Sequence, residues 1–222
     1  MASTTLTPTR PEEAARVDDT GQGGGGFRPR DFGGGDGWEE YRVPERTYRL
    51  GMCFALTGIV MFFAAFTSAL VVRRGMSFDW VLFGVPRVLW LNTFLLISSS
   101  VTLELSRRSL SAGAASEFVR WLWATVVLGL GFLGGQLMAW RELAARGIYL
   151  TTNPGSSFFY VLTAAHGIHL LGGVVALAYV VFCARRIALG RARRTPVDVT
   201  AIYWHFMDAL WIYLFFMLSR WM

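Results

Sequence analysis

The sequence predicts an all-α polytopic membrane protein: five transmembrane helices in a bundle, N-terminus inside and C-terminus outside, preceded by a disordered tail. Three observations carry this. Of 222 residues, 54% are hydrophobic and only 16% charged, against about 25% charged in soluble domains. The mean hydropathy is +0.42, and the apolar residues are gathered in long runs whose lengths match the bilayer. All 21 basic residues are Arg, and most stand in short clusters between those runs. A surface this poor in charge cannot cover a water-soluble globule. A disulfide scaffold is excluded as well, because Cys53 and Cys183 are the only cysteines and both lie in apolar runs. The net charge of +6 does not indicate a nucleic-acid partner: basic clusters flanking apolar spans report membrane topology.

Residues 1–46 hold nine acidic residues, glycine runs at 23–26 and 33–35, and few aliphatics. Such a segment buries too little apolar surface to offset its ordering entropy, so a disordered tail is expected. It lacks the basic start and apolar core of a signal peptide. The membrane domain is expected from residue 47 onward.

Leu50 to Val72 runs 23 residues without a charge, enough for one crossing at about 20 residues, and Arg73 and Arg74 stop it. Val88 to Leu103 forms the second span and ends at Glu104, Arg107 and Arg108. Trp121 to Trp140 is the third, with 20 residues free of charge. Thr151 to Ala184 contains 34 uncharged residues; Pro154 and Gly155 place the helix start near Ser156, and the excess length implies tilt. Val199 to Ser219 is the fifth span, interrupted by Asp208 alone. With the N-terminus inside, eleven Arg flank the spans on the cytoplasmic side and six on the other, which gives N-in and C-out.

Polar groups in hydrocarbon are costly and each needs a reason. The candidates are His166 and His169 on the fourth helix, His205 and Asp208 on the fifth, Glu104 at the end of the second, and the neutral Asn92 and Gln136. Both His166/His169 and His205/Asp208 are three residues apart and so share a helix face. Antiparallel depth counting brings His169 near Asp208, and a buried polar cluster of His166, His169, His205 and Asp208 fixing helix register is expected. Other chemistries compete for these residues. They are haem ligation by His166 with His205, a metal site of two His and a carboxylate, and a proton relay through Asp208. The bulky rings around the histidines, among them Phe158, Tyr160 and Trp204, leave no Gly-lined porphyrin slot. Glu104 one turn from Arg107 and Arg108 reads as a boundary ion pair. Gly131 and Gly135, with Gly129 and Gly134 beside them, and Gly172 with Gly173, form small-residue stripes for close helix packing. No phosphate loop, CxxC pair or nucleophile–base constellation is present, so no catalytic residue, bound cofactor or metal is assigned to this chain.

Phe158-Phe159-Tyr160 leading to His166-Gly167-Ile168-His169 is similar to the two-histidine segment of the cytochrome c oxidase subunit III family. Tyr203-Trp204-His205-Phe206-Met207-Asp208, followed by Trp211, resembles its Y-W-H-F-x-D-x-x-W segment. Leu91-Asn92-Thr93 with Ser98–Thr102 resembles its L-N-T helix, Gly51-Met52 and Phe62-Phe63 an earlier one, and Gln136 the glutamine of the middle helix. The resemblance covers residues 47–222. It implies an accessory subunit without redox centres in a bacterial inner-membrane haem–copper terminal oxidase. Haems and copper would lie on partner subunits, with subunit I as main contact, subunit II nearby, and cytochrome c donating electrons to the complex. Support of proton uptake and phospholipid binding are also implied, with His166, His169, His205 and Asp208 structural or lipid-adjacent. Two departures stand out. Five helices match the short bacterial form, so the lipid cleft between the two helix groups of the seven-helix form is not carried over. Ile59, after Gly58, occupies the position where many members carry a buried Glu, and no carboxylate role transfers. A quinol oxidase or nitric oxide reductase subunit is the neighbouring alternative; a free-standing b-type cytochrome or a small transporter is the alternative of another class.

Overall fold

The computed structural model describes residues 45–76, 84, 86–186 and 194–221, and among these every regular element is an α-helix. They are α1 (Glu45–Met76), α2 (Val88–Ser111), α3 (Ala115–Ala145), α4 (Pro154–Arg186) and α5 (Arg194–Trp221). All five are long and apolar enough to cross a membrane. The expected tail falls almost wholly outside the described residues. Each helix extends beyond its charge-free run into charged flanks, because Arg, Glu and Ala are strong helix formers once they reach the interface. α2 thus continues past Leu103 to Ser111, and α5 begins at Arg194, before the Val199 at which the apolar run opens.

Local chemistry sets the helix ends. α4 starts at Pro154, two residues ahead of the start expected near Ser156. The correction follows from proline's tolerance at the first helical position, where its missing N–H is no loss. Asn153 caps it: Asn153 Oδ1 accepts from Ser156 N–H at 2.9 Å, and Ser156 Oγ accepts from Asn153 N–H at 3.2 Å. This is a reciprocal pair in the manner of a capping box. α2 and α3 both close in Schellman motifs. Gly113 (φ 79°) and Gly147 (φ 76°) take the left-handed position; Ala114 N–H donates to Ser109 O and Ile148 N–H to Leu143 O. These two turns reverse the chain sharply, which makes α2, α3 and α4 consecutive antiparallel neighbours.

α2 packs on α3, α3 on α4, α4 on α5, and α5 back on α2, closing a four-helix ring. α1 lies outside it, against α4 and α5. The α2/α5 register is explicit: Arg107 pairs with Asp198, Ser99 with Trp204, Thr93 with Trp211, and Trp90 with Phe215. Trp204, Trp211, Phe63, Phe118, Phe132 and Phe159 are the large fully buried rings among the described residues. Around the outside stand exposed apolar side chains such as Phe54, Trp90, Ile168 and Phe216, as expected of surfaces that meet lipid or a partner.

Candidate functional site

The polar side chains expected to form one cluster are distributed over three places. His166 is fully buried inside the ring. Its imidazole lies against Phe132 of α3 (centroids 5.7 Å) and Trp211 of α5 (5.0 Å). His169 points instead to the groove occupied by α1, where Phe62 and Phe63 lie 6.3 and 5.9 Å from it, and its Nδ1 is 2.7 Å from the carbonyl of Ala165. His205 and Asp208 turn toward α2. There Ser100 Oγ donates to Asp208 Oδ2 and lies 2.9 Å from His205 Nδ1. The expected His169–Asp208 contact is not among these bonds, and register explains why. Tyr203 O–H donates to the His169 carbonyl at 2.8 Å, so the level of His169 on α5 is Tyr203. Asp208 lies five residues further on, about 7.5 Å along the axis at 1.5 Å per residue, and on the side facing α2. Residues three apart lie about 60° apart around a helix, enough for His166 to face the core while His169 faces α1.

A ladder of hydrogen bonds ties α2 to its neighbours. Trp204 Nε1 donates to Ser99 Oγ at 2.9 Å and Trp211 Nε1 to Thr93 Oγ1 at 3.1 Å. Thr102 and Thr125 hydroxyls meet at 2.9 Å, and Ser106 donates to the Phe118 carbonyl at 3.0 Å. Between α3 and α4, Trp140 Nε1 donates to Thr163 Oγ1 at 3.1 Å. Serine and threonine in the middle of an apolar run, as at 98–102, signal this bonding, which counting only ionisable groups misses. Asp198 is the other residue that reading left out. It accepts from Arg107 at 2.9 Å, while Glu104 pairs with Arg107 at 3.0 Å and Arg108 at 3.4 Å. The boundary carboxylate therefore belongs to a four-residue network joining the end of α2 to the start of α5. At the opposite end, Arg73, Thr151, Thr152, Asn153, Ser157 and Phe158 line an open cleft of about 700 Å³ between α1 and α4.

The glycines also divide. A Cβ on Gly135 would overlap the Asn92 amide, one on Gly129 would come 2.7 Å from the Trp204 ring, and one on Gly173 would meet Tyr203 at 3.1 Å and Trp204 at 3.2 Å. Gly131 has only an ordinary contact with Leu95 at 3.7 Å, and Gly172 faces open space. Close approach thus rests on Gly129, Gly135 and Gly173; Gly172 is rotated about 100° around α4 from Gly173, whereas Gly131, about 40° from Gly135 on the same side of α3, meets α2 only at ordinary van der Waals distance. Ile59 packs half-buried against the core.

Among the described residues, no group of three or more His, Cys, Asp or Glu side chains is placed to hold a metal ion. Fold and polar residues together define a polytopic helical membrane protein whose hydrogen-bonding groups largely knit helix to helix. The family model for cytochrome c oxidase subunit III matches residues 43–222, and the chain belongs to that family. It is 33% identical over 173 residues to the cytochrome c oxidase subunit 3 of Thermostichus vulcanus, covering 76% of this chain and 85% of that one. The probable cytochrome c oxidase subunit 3 of Nocardia farcinica is 29% identical, with 75% and 84% covered. The quinol oxidase subunit 3 of Bacillus subtilis is also 29% identical, with 71% and 78% covered.

Proposed function

We propose that the chain is the accessory, non-redox subunit III of a bacterial haem–copper terminal oxidase in aerobic respiration, seated in the inner membrane beside subunit I with subunit II in the same complex. In this reading it stabilises subunit I, supports proton uptake and binds phospholipid, while haems and copper reside on its partners and cytochrome c supplies electrons. The observation that carries the reading is the family match across the whole five-helix domain. The polar side chains agree with it: the histidines, His166 buried and His169 and His205 half-buried, are spread over three helix interfaces, and each is packed among rings or bonded to serine or backbone. That arrangement suits a rigid supporting bundle. The cleft beside Arg73 favours the lipid role, since a guanidinium and several hydroxyls at a membrane boundary suit an anionic headgroup. The histidines and Asp208 then serve as packing residues.

Purification of the chain in mild detergent, with identification of its companions, tests the proposal. A haem–copper subunit I should copurify, and a reduced-minus-oxidised spectrum of the chain alone should lack a haem band. A stoichiometric haem band on the isolated chain would overturn it. Relatives bear both cytochrome c oxidase and quinol oxidase names, so the donor is read from the copurifying subunit II: a dicopper-ligand motif there supports cytochrome c, and its absence favours quinol.

A further inference from the structure

Three hydrogen-bonding side chains meet at one level inside the ring without serving one another. Asn92 of α2 and His166 of α4 are 0% exposed and Gln136 of α3 is 3% exposed. All six of their side-chain nitrogen and oxygen atoms lack a hydrogen-bond partner among the described residues. Register brings them together. The Asn92 amide fills the notch over Gly135, the residue immediately before Gln136. Gln136 is one turn from Phe132 and one turn from Trp140 on the same buried face of α3. Phe132 faces His166, and Trp140 bonds Thr163; Gln136 therefore meets α4 between Thr163 and His166. The neighbouring donors are already committed: Trp211 Nε1 to Thr93, and Trp140 Nε1 to Thr163. Phe132 and Trp211 close one side of the level as an edge-to-face pair with centroids 4.7 Å apart.

Two carboxamides and an imidazole present donors and acceptors in the same small space. A cation would leave the amide N–H groups unserved, and an anion would leave the carbonyls unserved. Water serves both kinds at once, and buried water is held where several otherwise unsatisfied polar groups converge. We propose that this level is a hydration site: a small cluster of ordered water molecules bonded to Asn92, Gln136 and His166, tying α2, α3 and α4 together. The ring pair of Phe132 and Trp211 makes it a closed site on one side rather than a conduit. It is separate from the Ser100–His205–Asp208 group between α2 and α5.

Radiolytic labelling in native membranes equilibrated with ¹⁸O-water tests this, because hydroxyl radicals formed from a bound water oxidise the adjacent ring. Phe132 and Trp211 should take up ¹⁸O several-fold faster than Phe118, which is equally buried on α3 beside Ser106. Gln136→Leu and Asn92→Leu should each bring the two rings down to the rate of Phe118. Phe132 and Trp211 rates in the wild-type chain no higher than that of Phe118 would overturn the proposal. So would fast labelling that both substitutions leave unchanged, since the solvent would then be held by other groups.

Discussion

Ser100 is a small residue with a large share of the polar bonding at mid-helix. Its hydroxyl holds Asp208 Oδ2 and lies against His205 Nδ1, so its loss leaves a carboxyl group without that hydrogen bond in a low-dielectric setting. Interhelical hydrogen bonds in membranes average about 0.6 kcal/mol and reach about 1.7. Removing one partner of a buried carboxyl costs more, about 1–3 kcal/mol. Ser100→Ala should therefore destabilise the chain by about 1–3 kcal/mol, seen as a lower midpoint of unfolding in detergent, and Ser100→Thr should recover part of the loss by restoring the hydroxyl. An unchanged midpoint for Ser100→Ala would show that the bond contributes nothing. Gly135 offers the complementary case, in which adding one methyl is the injury. A Cβ there overlaps the Asn92 amide, and the side chain must leave its notch or the helices must part. Overpacking of this kind costs about 1–3 kcal/mol. Gly135→Ala should lower the unfolding midpoint accordingly, while Asn92→Ala in the same background should relieve the clash and recover part of the stability.

Helix α4 carries two adjacent glycines with opposite surroundings, and the contrast is a test of packing at the level of the element. Gly173 faces Tyr203 and Trp204 of α5 at 3.1–3.3 Å, whereas Gly172 has nothing within 4 Å. Gly172→Ala should be neutral or mildly stabilising, because alanine is the better helix former by about 1 kcal/mol. Gly173→Ala should push α4 from α5 and lower the yield of folded chain; equal effects at both positions would contradict the α4/α5 contact described above. The sequence makes one of these glycines no different from the other. Five apolar runs are legible because hydropathy and length report directly on the bilayer, and four helices contain their whole run, while α4 begins at Pro154, three residues inside its own. The helix ends were less legible: Pro154 reads as a breaker until Asn153 and Ser156 are seen to cap it. The polar site was legible only in composition. His166, His169, His205 and Asp208 stand out by type, but which neighbour each faces depends on the axial register of α4 against α5. A shift of five residues separates the expected His169–Asp208 contact from the observed His169–Tyr203 bond. Ser99 and Ser100 stand out only as part of the Ser98–Thr102 segment, because a neutral hydroxyl leaves no mark on a charge count, and Asp198 reads as a mere flank because it lies just outside the apolar run that opens at Val199.

At the scale of the whole molecule, the ring of α2–α5 with α1 outside it places the α2–α3 turn and the α3–α4 loop at opposite ends of the bundle, since α3 separates them. The ends differ in chemistry. The α2–α3 end carries the Glu104, Arg107, Arg108 and Asp198 network, while the other carries the Arg73 cleft and the Arg146–Glu142 pair. The excess of Arg at the first end predicts that it faces the cytoplasm, because basic flanks resist translocation. Ala112 lies exposed in the α2–α3 turn and Thr151 exposed in the α3–α4 loop, so a cysteine at either reports its side without disturbing the core. In a background with Cys53 and Cys183 replaced by serine, a membrane-impermeant maleimide applied to spheroplasts should label Thr151→Cys and spare Ala112→Cys. After permeabilisation both should react. Labelling of Ala112→Cys alone in intact spheroplasts would invert the topology and move the Arg73 cleft to the cytoplasmic face. The ion-pair network would then face the exterior.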